Sequence, residues 1–550
     1  MTTLLLKAFD PFRWKRLGER YLDLWRQRRA AERLDDLLRG LEPAVPAVSG
    51  DGTVVADGMW YNPNHFFRLR LFLQALSAKG EGFRLLGILR KRGDARAMAA
   101  LQRLGFTDFV FIDDDDEFRT EHFLKDADAL LAQVKSHQDL LTMPLPGGVP
   151  AYTYYDTVLK LSAHPRPPLG DPIWRTALAQ ALRNTAIYRR ELDRRKIAHV
   201  VLSHPWKSEW ATLVWLATGR GIPSYHLTGF CEAIRIRRFR SHSDYAVPVE
   251  HLRLEQFESL PLPIRQHLSA LGREDLALRA TGTSTDINAR HAFDPANRIS
   301  ERGAARLKLS GQTERPVAVI YSHIWFDFPH TFAMKNFADM KDWMECTIQH
   351  IRNCTDVVWL LKPHPTEKWY GGFSLADIAH DLPPHVRMLP LKTDSATTMT
   401  AADAVVTVHG TVGLEAAANG LPVVLADRSY FSDWKVGHVA QSRDDYRRLL
   451  SNVAQLAPPD EAARERAMAC FAMALAQPPG FTEAMQISCD STGLALYDEI
   501  TERIVQRPDE CAREIERMAT FLAQSEIDSY AAFHLVEAVR RQVVAASAAA

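Results

Sequence analysis

Short apolar runs alternate along this chain with longer stretches whose apolar residues recur at helical spacing. TVVADG (53–58) predicts a strand, and the loop GMWYNPN leads into the helical pattern HFFRLRLFLQALSAKG. FRLLGILR predicts a second strand, RAMAALQRLG a helix and DFVFI a third strand. Further on, KIAHVVLSHPW predicts a strand, SEWATLVWLATGRG a helix ended by glycine, and IPSYHL another strand. Such alternation of β and α elements implies a mostly parallel sheet with helices on both faces.

Residues 250–315 are less regular and rich in Arg, Thr, Asp and Asn. A second alternating run begins at PVAVIYSHIWF. It continues through helix FADMKDWMECTIQHIRN, strand DVVWLLKPHP, strand VRMLPL, helix ATTMTAAD, strand AVVTVHG, helix TVGLEAAANG and strand PVVLA. A long amphipathic stretch, 509–544, closes the chain. No repeat of fixed short period interrupts this order. Two successive α/β runs predict twin Rossmann-like domains, in which ligands bind beyond the carboxyl ends of the strands.

The length of 550 residues agrees, being too great for a single core. The Pro/Gly-rich segment LEPAVPAVSGDG (41–52) marks a boundary. The expected division is a basic amphipathic helical extension over 1–50 and a first Rossmann-like domain over 51–250. A helical or irregular connection over 251–315, a second Rossmann-like domain over 316–500 and carboxyl-terminal helices over 501–550 complete it. The helical pattern at 9–40 carries Phe12, Trp14, Tyr21, Trp25 and many arginines. It suits either a membrane interface or a helix packed on the enzyme body with solvated arginines.

Formal net charge is zero, so no whole-molecule field favours nucleic acid. Six scattered cysteines form no C-x-x-C pair, which gives a zinc knuckle or redox dithiol no support and suits the cytoplasm. No apolar run reaches the roughly 20 residues that span a bilayer.

Four positions at predicted strand ends could carry chemistry. Lys362 and His364 close the strand DVVWLL, with Pro363 and Pro365 fixing the backbone around the imidazole. Such an imidazole can donate to a phosphate oxygen, and Lys362 adds a point charge. His409, Gly410, Thr411, Val412, Gly413 and Glu415 form a turn into a helix. There the glycines admit a ligand, the helix amino terminus favours an anion and Glu415 reaches a ribose hydroxyl. A strand–helix turn merely capped by Thr411 is the alternative. The third position is YSHIWFDFPH, with His323, Asp327 and His330. A carboxylate there can take a proton from an acceptor hydroxyl or attack an anomeric carbon, or only cap the next segment. The fourth joins SHPWKSEW to TGFCEAIRIRR. His204, Lys207, Glu232, Arg235 and Arg237 suit an anionic acceptor or an ordinary charged surface. The acidic run 113–117 resembles a metal-binding loop, yet it follows a strand far from the other signals, and a solvated loop explains it.

Together these residues resemble the bacterial capsule and surface-polysaccharide glycosyltransferases of the GT-B fold, the β-Kdo transferases above all. The resemblance is best over 318–440 and weaker over 53–245. It implies two Rossmann-like domains facing a cleft, with helical extensions at both ends. In related CMP-sugar transferases an His-Pro motif and a Ser/Thr-containing turn hold the donor phosphate. Those correspond here to His364-Pro365 and Thr411. A cleft carboxylate does the chemistry, and Asp327 matches it by position, the sialyltransferases' short acidic-acidic-Gly motif being absent. His330 and Glu232 accompany it as catalytic candidates, and His204, Lys207 and Arg235 as acceptor contacts. The implied function is transfer of Kdo from CMP-Kdo to a saccharide or glycolipid, without a metal or other cofactor. Its place would be the cytoplasm or the cytoplasmic face of the inner membrane. A UDP-sugar or CDP-polyol donor, or an inactive transferase-like assembly subunit, are the alternatives.

Overall fold

The computed structural model describes residues 50–78, 82–228, 234–282, 284, 287–332, 334–367, 372–475, 508–524 and 526–549, with positions 22, 25, 29 and 32 besides. The pattern predicted for 9–40 lies outside these residues apart from those four helical positions.

Twelve strands form two six-stranded sheets among the described residues. The first contains β1 (Thr53–Asp57), β2 (Arg84–Leu89), β3 (Asp108–Phe111), β4 (Ile197–Leu202), β5 (Ser224–Thr228) and β6 (Arg235–Phe239), in the order β3-β2-β1-β4-β5-β6. The second contains β7 (Val317–Tyr321), β8 (Val358–Lys362), β9 (Val386–Met388), β10 (Ala404–Thr407), β11 (Val423–Leu425) and β12 (His438–Val439). Its order is β12-β11-β10-β7-β8-β9. Both repeat the 3-2-1-4-5-6 winding of a dinucleotide-type fold. All pairings are parallel except β5 with β6. Every residue of β1, β7, β8 and β10 is buried, as befits parallel strands covered on both faces. Two such sheets facing a cleft make this the GT-B architecture.

The segment RIRRF, whose arginines suit an anionic acceptor, is the antiparallel edge strand β6. Its arginines are ion-paired, Arg235 and Arg237 with Glu250 and Arg238 with Asp528, and Arg237 bridges to Ser529 beyond the edge of the sheet. The closing amphipathic stretch contains two helices, Pro508–Gln524 and Tyr530–Ala549, with residues 526–529 outside both. The first packs on helix α1 (Pro63–Ser77) and the second bridges both halves of the molecule.

Four more helices matter below: α2 (Ala151–Ser162), α3 (Pro172–Arg194), α4 (Ser208–Thr218) and α5 (Leu262–Ala280). One apolar cluster runs from Tyr154, Tyr155 and Trp174 of the first half to Trp325, Phe337 and Trp343 of the second. Polar bridges line the same boundary. Asp339 is fully buried, takes a bidentate pair from Arg166 at 2.7 and 2.8 Å, and accepts from the Tyr155 hydroxyl at 2.9 Å. Among the described residues, no helix is long and apolar enough to cross a membrane.

The acidic run 113–117 faces arginines. Arg183 and Arg190 of α3 pair with Asp113 and Asp115 at 2.8 and 2.6 Å, and Arg92 reaches Asp116 at 2.8 Å. The run is thus tied to its neighbours by ion pairs, not merely solvated.

Candidate functional site

A parallel sheet of this order changes winding direction between its first and fourth strands, and the crevice at that point is where ligands sit. The two sheets bring these points together around one cavity of about 570 Å³, within the usual range for small-molecule sites.

On the second sheet, β7 delivers Ser322 and His323, β8 delivers Lys362 and His364, and β10 delivers His409 and Gly410. The backbone N–H of His364 donates to the Ser322 hydroxyl at 2.9 Å. The His364 Nδ1 accepts from the Thr366 backbone N–H at 3.3 Å. An amide can only donate, so the neutral ring carries its hydrogen on Nε2. Burial, with His323 and Lys362 nearby, pushes the His364 pKa down to about 3. Lys362 is 1% exposed and donates to the Thr393 carbonyl at 2.7 Å. Burial lowers its pKa to about 8, with Asp394 opposing the shift.

Gly410, Thr411 and Val412 line the cavity, as does Pro365. Thr411 already has helical φ and ψ of −51° and −29°, so its side chain does not cap the following helix α6 (Val412–Ala418). Its hydroxyl meets the Tyr430 hydroxyl at 3.2 Å. Gly413 does not line the cavity. A Cβ there would lie 2.8 Å from Cζ of the fully buried Phe431, so this glycine makes room for a ring and not for a ligand. Gly413→Ala is therefore expected to cost about 1–3 kcal/mol of stability through overpacking, read as a lowered denaturation midpoint.

Glu415 is buried and held by Arg279, from the end of α5, at 2.9 Å; both line the cavity. Helix α5 reaches this position by crossing helix α7 (Glu461–Leu475) very closely at Gly272, where a Cβ would lie 1.9 Å from the Met468 carbonyl oxygen.

Asp327 lines the cavity where the two halves meet, and Lys160 of α2 donates to its Oδ1 at 2.6 Å. Phe328, next in sequence, has a φ of +54°, a left-handed value that a bulky residue adopts only under constraint. Its ring packs against His204 at 5.5 Å and under the Lys160 ammonium at 5.7 Å. His204 lies on the opposite wall with its ring on Trp210. Burial first, and then Lys207, push its pKa down to about 4.

The remaining sequence candidates sit elsewhere. His330 lies outside the cavity lining, its Nδ1 2.6 Å from Asp156 of α2 and its backbone N–H also donating to that carboxylate. The ring is buried, and its bond to Asp156 joins the two halves. Lys207 lies over the Trp210 ring at 5.8 Å, outside the lining. Arg235 is buried against Glu250 at 3.1 Å and the Ala474 carbonyl at 2.5 Å, and its neighbour on the same face of β6, Arg237, lines the cavity. Glu232 falls outside the described residues. Sequence reasoning missed Lys160 and Arg279, which stand on helices 167 and 136 residues from their partners, with no local signal. Thr407 was also missed, although it ends an evident strand.

The chain matches no family model and no curated protein. It is similar to several solved structures. The β-Kdo 2,4 transferase KpsC of Thermosulfurimonas dismutans is 12% identical at a TM-score of 0.35, the match covering 51% of this chain and 79% of that one. The Neisseria meningitidis UDP-GlcNAc 2-epimerase, bound to UDP-GlcNAc, is 10% identical at 0.23, over 82% and 98%. The Streptomyces nogalater glycosyltransferase SnogD is 13% identical at 0.22, over 78% and 97%. Likeness this distant carries no functional argument, and the fold stands on the strand orders of the two sheets.

Proposed function

We propose that this protein is a glycosyltransferase that moves a sugar, Kdo from CMP-Kdo, onto a saccharide or glycolipid acceptor of a surface polysaccharide. One observation carries the reading: the turns after β7, β8 and β10 converge on a single cavity wall with His323, His364 and the Gly410-Thr411 turn. That wall offers N–H and O–H donors of the kind a nucleotide phosphate needs. His364-Pro365 and Thr411, the residues that resemble CMP-sugar transferase motifs, both belong to it.

In this reading the sugar lies between the donor wall and His204, with the acceptor on the His204 side. Asp327 is the base that takes the acceptor proton, or the nucleophile that attacks the anomeric carbon. The charge of the departing CMP is met by the His364 Nε2–H, the Thr411 turn and nearby cationic side chains, so no metal is assigned a role.

A thermal-shift panel of CMP, CDP and UDP tests the donor. Ligand at about a hundred times its Kd stabilises by about 2.7 kcal/mol, so CMP should raise the melting temperature measurably. Stabilisation by UDP without any by CMP would overturn the Kdo assignment. Mass spectrometry of products from CMP-Kdo and glycolipid acceptors then tests the transfer itself.

A further inference from the structure

His323 follows β7 and His409 follows β10, the adjacent strands between which the second sheet reverses its winding. Their rings meet edge to face with centroids 4.3 Å apart, and both line the cavity. The buried Nδ1 atoms of both find no hydrogen-bond partner among the described residues. A buried polar atom without a partner is costly, and two of them side by side in a cavity wall indicate where ligand atoms belong.

We propose that His323 and His409 form an imidazole pair that contacts the anionic phosphate of the ligand and takes up one proton as it binds. The site would then gain a positive charge only when occupied. This rests on the nucleotide-binding reading above and adds a residue, His323, and a proton to it.

The other charged groups facing the pair are already committed. Arg279 pairs with Glu415, and Lys160 with Asp327. Lys362, with a pKa of about 8, already holds its proton at neutral pH. His364 cannot take a second proton without breaking the hydrogen bond from the Thr366 amide to its Nδ1. His330 is bound to Asp156. His204, across the cleft, has Lys207 and Lys160 beside it, and both disfavour another positive charge. Within the pair, His323 has the Asp327 carboxylate nearby, and that favours its protonation.

Without ligand the pair is neutral. Burial holds His323 at about 4 and His409 well below the ordinary histidine value. A phosphate charge at about 4 Å in surroundings of effective dielectric about 20 raises the proton affinity of an imidazole about a thousandfold. That brings His323 back into the neutral range. The complex then holds more protons than the free protein, so affinity must rise as pH falls across the interval between the free and bound pKa values.

The test is calorimetric titration of the full chain with cytidine 5′-methylphosphate, a diester with one constant charge near neutrality, in buffers of differing ionisation enthalpy. Uptake of about half a proton at about pH 7, rising towards one near about pH 5.5, is expected, with affinity rising up to about tenfold per pH unit on acidification. His323→Asn should abolish the uptake and weaken binding. His409→Asn provides the same measurement should the first variant not fold. Binding without proton uptake by the unaltered chain overturns this inference and leaves the donor reading standing. Undiminished uptake in both variants overturns it too, since the proton then resides elsewhere. No binding heat at all overturns the donor reading, and this inference falls with it.

Discussion

Asp327→Asn is expected to lower turnover by about 10²- to 10⁴-fold while nucleotide binding persists. The carboxylate lines the cavity at the junction of its two walls, about one-third exposed, with its Oδ1 bonded to Lys160. An amide keeps the shape and still accepts from Lys160, but it neither takes a proton nor attacks carbon. A loss shared equally by kcat and kcat/KM places the role in the transition state. If Asp327 only anchors Lys160, Lys160→Met will be as damaging as Asp327→Asn. Loss of CMP binding in Asp327→Asn would instead make the carboxylate a donor contact.

The second large effect concerns stability. Asp339→Ala is expected to cost about 3–5 kcal/mol, since it leaves the Arg166 guanidinium, only 20% exposed, without its bidentate partner. It also removes the acceptor of the Tyr155 hydroxyl and the cap of helix Met340–Ile351, whose Asp342 N–H bonds Asp339 at 2.7 Å. At roughly 2–4 °C per kcal/mol for domains of this size, the melting temperature should fall by roughly 10 °C. Asp339→Asn retains a cap and one acceptor and should fall less. Equal melting temperatures for wild type and Asp339→Ala would show that the bridge adds nothing to the union of the two halves.

Strands buried on both faces were legible because their apolar runs are nearly unbroken, and the turns that follow them could be located from sequence. His364, Thr411 and Asp327, each placed after such a strand, all line the same cavity. Strand β6 was missed because RIRRF, dominated by arginine, reads as a basic patch and not as a strand. Gly413 was misjudged because a glycine that admits a ligand and one that admits a neighbouring ring look alike until Phe431 is placed. Glu415 was located without its partner Arg279, which lies on a helix far away in the chain. His330 was drawn into the catalytic cluster by its nearness to Asp327, yet the few residues between them turn the chain toward Asp156. Contacts between the end of one domain's strands and another domain's helices have no local sequence signature, and that is where the site's supporting charges come from.

The left-handed backbone at Phe328 has a consequence for how this chain can change over time. A glycine or asparagine there would relieve the conformation, so selection for robustness alone would favour losing the phenylalanine. Its ring, however, is clasped between His204 and Lys160, beside the carboxylate that faces the cleft. Persistence and usefulness of the fold pull in opposite directions at this one residue, and variants isolated for heat tolerance are the place to look for its replacement.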